Sequence, residues 1–242
     1  MPRKSKIQHL TKFEDLLPSK REPSKYLKFR PLNESQQILV DKIRQNDVTF
    51  ISAPAGAGKT CCAVAMGLEH LNKGLVNKIV VTRPAVESEE NLGFLPGALE
   101  EKLDPYLRPL YDEFKNFITG EDLNLYRHTG IIELCPIAFL RGRTFKNTFL
   151  ICDEASNCTF KQILMLLTRI GEGSKFVING DPTQSDLPHY KQGALDDAME
   201  RLEGLEGIAN VYMEAKDIVR HRLINDIIKR LDDREFSMEN NY

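Results

Sequence analysis

The feature that most constrains the fold of this chain is a segment of small residues between a strand-like run and a helical pattern. It reads Ser52-Ala53-Pro54-Ala55-Gly56-Ala57-Gly58-Lys59-Thr60. Small residues allow successive backbone N–H groups to converge on phosphate oxygens, and the N-terminus of the following helix adds positive potential. The segment therefore predicts a nucleotide phosphate site in an α/β protein.

Two residues of this phosphate loop carry specific chemistry. We expect Lys59 to bridge the terminal phosphates and the Thr60 hydroxyl to coordinate Mg²⁺. Ala53 stands where glycine is commonest, which is acceptable if its backbone angles suit a residue with a Cβ. The predicted nucleotide contacts in and after the loop are Ala53, Pro54, Ala55, Gly56, Ala57, Gly58, Lys59, Thr60 and Cys61.

Short apolar runs alternate with helical patterns along most of the chain. The runs cover residues 48–52, 78–82, 131–134, 148–152, 175–179 and 208–213, and the clearest helical patterns cover 60–71 and 160–170. Asn33 is the expected N-cap of a further short helix. Fully apolar strands that alternate with helices predict a mostly parallel sheet covered by helices on both faces.

The ends of the chain differ in composition from its middle. Residues 1–31 contain nine Lys or Arg and three acids and are punctuated by proline, so we interpret them as a basic arm. The arm could contact phosphates or could simply be solvated. We expect one domain over residues 32–231, with an insertion-like segment at 86–127 and a polar tail at 232–242.

A second motif, which is acidic, follows the strand-like run at residues 148–152. Asp153 would hold the water shell of Mg²⁺, and Glu154 would polarise the attacking water as general base. Two adjacent acids after an apolar strand are costly unless they face a cation and water. A solvated strand end that caps the next helix is the alternative.

The next strand, which we expect to lie beside the strand of Asp153, ends in a polar turn that contains Gln184. Its amide could donate to a phosphate oxygen or to the attacking water and so report the presence of the γ-phosphate. A polar turn without function is the alternative. Together these motifs predict a three-layer P-loop NTPase with a RecA-like sheet, using ATP and Mg²⁺.

Cysteine content and hydropathy bear on where the protein acts. The five cysteines, Cys61, Cys62, Cys135, Cys152 and Cys158, lack paired spacing, and we expect reduced, buried thiols. No apolar run is long enough to span a bilayer, and the N-terminus lacks the apolar core of a signal peptide. We expect a cytoplasmic protein without a membrane partner.

The ordered set of motifs resembles the PhoH-like family of ATPases, which are relatives of superfamily 1 helicase motors. The resemblance rests on residues 54–60, 81–87, 92–97, 104–110, 141–144, 153–155, 167–171, 180–184 and 217–221. This sequence departs from the family pattern at Ala53, and at Ser156, where glutamine is frequent.

The resemblance implies roles for four further residues. Gln36 matches the glutamine that reads the adenine edge, although it could be a surface glutamine. Arg83 matches a segment that meets the nucleic-acid backbone, although it could instead pair with an acid at the sheet edge. Arg141 and Arg143 could grip nucleic-acid phosphates or a neighbour's nucleotide, or be simple surface arginines.

The resemblance also implies a homo-hexameric ring. Superfamily 1 motors place ATP between two RecA-like domains, whereas this chain has room for one. A neighbouring subunit could then supply the arginine that stabilises the transition state. Arg220 is our first candidate for this catalytic arginine, with Arg169 and Arg143 as alternatives.

Two functional hypotheses remain from the sequence. The first is an ATP-driven motor or remodeller on single-stranded nucleic acid, with RNA favoured over DNA by family association alone. The second is an oligomeric ATP switch that acts on a protein partner. Phosphoryl transfer to a small metabolite is disfavoured, because such an enzyme needs no water-activating Glu154.

Overall fold

The computed structural model describes residues 29–84, 108–188 and 192–219. The strands in these ranges are β1 (Val48–Ser52), β2 (Lys78–Arg83), β3 (Ile132–Pro136), β4 (Thr148–Cys152), β5 (Lys175–Gly180) and β6 (Ile208–Tyr212). They form one parallel sheet in the order β3-β2-β4-β5-β1-β6. The strands predicted from the apolar runs are confirmed, with ends that differ by at most two residues.

Helices cover both faces of this sheet. They are α1 (Glu34–Gln45), α2 (Lys59–Asn72), α3 (which includes residues 108–115), α4 (Gly120–His128), α5 (Phe160–Leu167) and α6 (Ala194–Arg201). The first four pack in one hydrophobic cluster, and α5 and α6 pack in the other. The predicted three-layer arrangement is therefore confirmed.

Alternation along β4 shows why the strands are apolar throughout. Phe149 and Ile151 face α2, whereas Leu150 and Cys152 face α5, and all four are fully buried. A strand covered on both faces cannot alternate between apolar and polar side chains. The burial predicted for the cysteines is confirmed for Cys62, Cys135, Cys152 and Cys158, while Cys61 is partly exposed, and all five thiols are free.

A local signal sets the start of one helix, and a long-range contact sets the end of another. The Asn33 side chain accepts a hydrogen bond from the backbone N–H of Gln36, so the predicted N-cap of α1 is confirmed. The helix predicted over residues 160–170 ends at Leu167, with Thr168 as its C-cap. Ile170 instead forms a parallel bridge with Phe145, which draws the chain out of the helix.

Several predicted segments lie outside the described residues, namely the basic arm up to residue 28, residues 85–107 and the polar tail. The described end of the insertion-like segment contains α3 and α4. Leu110, Phe114 and Leu123 from these helices are buried in the same cluster as α2. Within the described ranges, none of the helices combines the length and the apolar character needed to cross a membrane.

Candidate nucleotide and magnesium site

The carboxyl ends of β1, β4, β5 and β2 meet at one edge of the sheet, and the phosphate loop lies there. Gly56 and Gly58 adopt positive φ angles of 87° and 83°, which favour glycine. Ala53 is not among the residues with positive φ, and its backbone N–H donates to the Gly180 carbonyl at 3.0 Å. The departure at Ala53 is therefore compatible with the loop.

The start of α2 suits a bound phosphate. Gly58 is the N-cap of α2, no side chain caps the helix, and no acidic residue lies in its first turn. The N–H groups of this turn are therefore suited to an anion. Lys59 is 7% exposed, and its Nζ lies 3.5 Å from the Pro54 carbonyl oxygen within the same loop.

Thr60 and Asp153 come together although they are 93 residues apart. The Thr60 hydroxyl donates to a carboxylate oxygen of Asp153 at 2.7 Å, and Asp153 is 5% exposed. A buried carboxylate beside a hydroxyl is a set of oxygen donors that suits Mg²⁺. The residues present therefore fit a magnesium ion, with Thr60 and Asp153 as the groups that would hold it.

Glu154 has an unusual backbone and a basic partner. Its φ of 55° lies in the left-handed region, which is uncommon for a non-glycine residue and is concentrated at functional sites. Its carboxylate forms a 3.3 Å ion pair with the Arg83 guanidinium at the end of β2. Burial, followed by the nearby charge of Asp153, raises the pKa of Glu154, and Arg83 partly opposes this shift.

The turn after β5 is tied to the phosphate loop by Asp181, a residue to which we assigned no role from the sequence. The Asp181 carboxylate accepts the Ala55 backbone N–H at 2.8 Å and both the backbone N–H and the hydroxyl of Thr183. Gln184 is exposed, and its backbone N–H donates to the Asp181 carbonyl. The sequence signal for Asp181 was that it is an acid directly after β5, the strand that pairs with the β4 strand before Asp153.

Gln36 lies against the phosphate loop. It is 3% exposed, so it is not a surface glutamine. Its amide nitrogen donates to the Ala57 carbonyl at 3.0 Å, and its amide oxygen accepts the Leu32 backbone N–H at 2.9 Å. The adenine-reading role remains a prediction, although the side chain is at the loop.

A fourth acidic side chain approaches the site from α3. Glu113 is half-buried, its carboxylate adds to the burial that raises the pKa of the Cys61 thiol to about 11, and it experiences the negative charge of Asp153. Burial is the main cause that raises the pKa of Glu113. Local sequence held no signal for this contact, because Glu113 belongs to the insertion-like segment.

The predicted arginines have different surroundings. Arg143 donates to both carboxylate oxygens of Glu133, at 2.5 and 2.9 Å, and this pairing with Arg143, helped by Lys78, lowers the pKa of Glu133 to about 2. Arg141 is exposed. Arg169 donates to the backbone carbonyls of Met165 and Arg143.

The predicted catalytic arginine, Arg220, lies outside the described residues. The last residue described before it is Val219, whose N–H donates to the Gly56 carbonyl at 3.0 Å.

The parallel sheet, the phosphate loop and the Thr60–Asp153 pair define a P-loop NTPase. A family model described as "PhoH-like protein" matches residues 28–232. The chain belongs to this family.

Individual relatives agree with this assignment. The chain is 39% identical to the PhoH-like protein of Bacillus subtilis (strain 168) over 232 residues, covering 96% of this chain and 72% of the relative. It is 45% identical to the PhoH-like protein of Synechocystis sp. over 194 residues, covering 80% of this chain and 59% of the relative. It is 40% identical to the Protein PhoH of Escherichia coli (strain K12) over 193 residues. That match covers 79% of this chain but only 54% of the relative.

Among solved structures, the large terminase from a thermophilic bacteriophage has a similar fold. The TM-score is 0.53 at 10% sequence identity, and the match covers 83% of this chain and 50% of the terminase chain. At this identity the likeness concerns the fold alone.

Proposed function

We propose that this protein hydrolyses ATP with Mg²⁺ and that single-stranded nucleic acid, RNA more readily than DNA, stimulates the hydrolysis. The observation that carries the proposal is the ion pair between Arg83 and Glu154. It joins the residue predicted to meet the nucleic-acid backbone to the residue predicted to activate water. The proposal applies to this chain, which spans only part of several relatives.

The chain's residues divide the chemistry of hydrolysis among them. Lys59 and the N–H groups of the first turn of α2 bind the phosphates. Thr60 and Asp153 hold Mg²⁺, which when bound neutralises charge that develops on the phosphate oxygens. Glu154 orients a water and accepts its proton, and the raised pKa of Glu154 brings it closer to that of an effective base at neutral pH.

The Arg83–Glu154 pair offers a way for nucleic-acid binding to control ATP hydrolysis. While Glu154 accepts charge-assisted contact from Arg83, its carboxylate is less free to orient water. A backbone phosphate of a nucleic acid is an equally good partner for Arg83. Phosphate binding would therefore release Glu154 for hydrolysis. Exposed Arg141 is a further candidate for phosphate contact, whereas Arg143 is already paired with Glu133.

The test is the steady-state ATPase rate with and without single-stranded RNA and DNA, at low and moderate salt. We expect RNA to raise the wild-type rate and the effect to fade as salt rises, because backbone contacts release counterions. We expect Arg83→Ala to raise the ATPase rate without RNA and to lose most of the stimulation by RNA. In a titration of RNA binding at several salt concentrations, the slope of log affinity against log salt should be smaller by about one in this variant.

The matched control is Arg201→Ala. Arg201 forms a comparable 2.7 Å pair with Asp197, but on α6, on the opposite side of the sheet from α2. This variant should behave as wild type in every assay. A wild-type ATPase rate that neither RNA nor DNA changes would count against the nucleic-acid proposal. It would favour an ATP switch that acts on a protein partner.

The ring and the catalytic arginine form a separate part of the proposal. Arg143 and Arg169 are both engaged within their own subunit, which leaves Arg220 as the first candidate for an arginine supplied in trans. Such a protein would act as a homo-hexamer in the cytoplasm, where ATP and RNA are both present.

We expect Arg220→Ala to bind ATP but to hydrolyse it about 10³-fold more slowly. Mixing it with Glu154→Gln protein should restore part of the activity, since some interfaces then combine an intact base with an intact arginine. Mass measurement in solution should show six subunits. No recovery at any mixing ratio in a confirmed oligomer would argue against an arginine in trans.

A further inference from the structure

Asn179 is a polar side chain enclosed in the middle of the sheet. It lies in β5, in register with Ile51 of β1, and is fully buried. Because side chains alternate along a strand, Asn179 shares the face of Val177, which packs in the same cluster as α2. Its amide therefore faces α2 near the phosphate loop.

Both polar atoms of this amide lack a hydrogen-bond partner among the described residues. Thr82 and Asn210 each leave one buried atom unpaired, so Asn179 is the described side chain with both groups unsatisfied. An unpaired buried amide costs stability that an apolar side chain of similar size would not. Such a group calls for a reason, such as a bound water or ion.

The position of Asn179 connects it to the magnesium residues. Cys152 of β4 is in register with Ile178 of β5, so Asp153 and Asn179 are the next residues along two adjacent strands. Ile151 faces α2, so Asp153, two residues later, is on the same side, as its bond to Thr60 requires. On the other flank, the carbonyl of the neighbouring Gly180 accepts the N–H of Ala53 in the phosphate loop.

We infer that Asn179 is a positioning residue of the magnesium–nucleotide site. Its amide, which has no partner among the described protein groups, binds ordered water that in turn hydrogen-bonds to the carboxylate oxygen of Asp153 that Thr60 does not use. These contacts fix the Asp153 carboxylate in the orientation that holds the magnesium water shell. The inference rests on the magnesium-dependent nucleotide binding proposed above, and it explains why a polar group is kept where it costs stability.

The experiment measures thermal unfolding and nucleotide binding of Asn179→Val and Asn179→Ala. Valine is a strand former with no polar atom, and alanine cannot overpack the site. Binding of a fluorescent, non-hydrolysable ATP analogue is titrated over a range of Mg²⁺ concentrations and in EDTA. Asn210→Val is the control, because it removes another partly unpaired amide, from β6 on the opposite face of the sheet.

We expect the Asn179→Val melting temperature without nucleotide to be unchanged or raised, by about 2–6 °C. The Mg²⁺ concentration that gives half-maximal binding should rise about 10-fold or more in both variants, as for the loss of a partner behind a metal ligand. Affinity in EDTA should stay at the wild-type value, and Asn210→Val should keep the wild-type Mg²⁺ dependence.

Two results would overturn the inference. One is a wild-type Mg²⁺ dependence in both Asn179 variants. The other is an equal loss of affinity with Mg²⁺ and in EDTA together with a lower melting temperature, which is the mark of a purely structural residue. If the wild-type protein itself shows no Mg²⁺-dependent nucleotide binding, the proposed function fails, and this inference fails with it.

Discussion

Replacing Lys59 by alanine is expected to weaken ATP binding by about 100-fold or more. Lys59 is almost fully buried at the start of α2, and its Nζ is directed into the phosphate loop rather than to a carboxylate. Its charge therefore has no carboxylate partner among the described residues and is suited to phosphate oxygens. Equilibrium titration with a fluorescent ATP analogue measures the effect.

The control for this prediction is Lys73→Ala, at the other end of the same helix. Lys73 is exposed and pairs with Glu69, far from the loop. It should bind ATP as tightly as wild type, and circular dichroism should show that Lys59→Ala remains folded. Wild-type affinity in a folded Lys59→Ala protein would refute the assignment of the phosphate loop.

Replacing Glu154 by glutamine is expected to slow ATP turnover by about 10²–10⁴-fold while ATP binding is retained. The amide is nearly isosteric with the carboxylate but cannot accept the proton of the attacking water. The same substitution removes the charge that pairs with Arg83, so this variant should bind RNA at least as tightly as wild type.

The ATP turnover rates of the wild type and of Glu154→Gln should be measured at saturating ATP over a range of pH. Because the pKa of Glu154 is raised above its usual value, the wild-type rate should fall as pH drops through that raised pKa, where the base becomes protonated. Glu154→Gln should lack this dependence. Glu200→Gln, an exposed acid on α6, is the control. Unchanged turnover in Glu154→Gln would remove Glu154 from the role of base.

Much of the fold followed from local patterns. An apolar run bounded by turn residues specifies a buried strand without reference to the rest of the chain, and the described strands lie where these runs predict them. The Asn33 cap and the phosphate loop are equally local, because their geometry depends on residues a few positions apart. The end of α5 was missed, since the bridge between Ile170 and Phe145 joins distant parts of the chain.

The candidate site likewise combines residues that local motifs identify with contacts that depend on the fold. Sequence alone identified Lys59, Thr60, Asp153 and Glu154 as candidates, because a phosphate loop and an acidic strand end are short motifs with a defined chemistry. The expectation that the strand of Asp153 lies beside the strand before Gln184 was confirmed by the pairing of β4 with β5.

Only the tertiary structure decided which side chains meet across the sheet edge. The order β3-β2-β4-β5-β1-β6 brings Arg83 to Glu154 and Asp181 to Ala55, and the register of β4 with β5 sets the backbone position of Asn179 next to that of Asp153. Each contact joins residues from different strands or from the turns that follow them, so it depends on crossover connections that no local pattern encodes. The sequence determined the strands and the chemical groups at their ends, and the folded sheet determined which of those groups became neighbours.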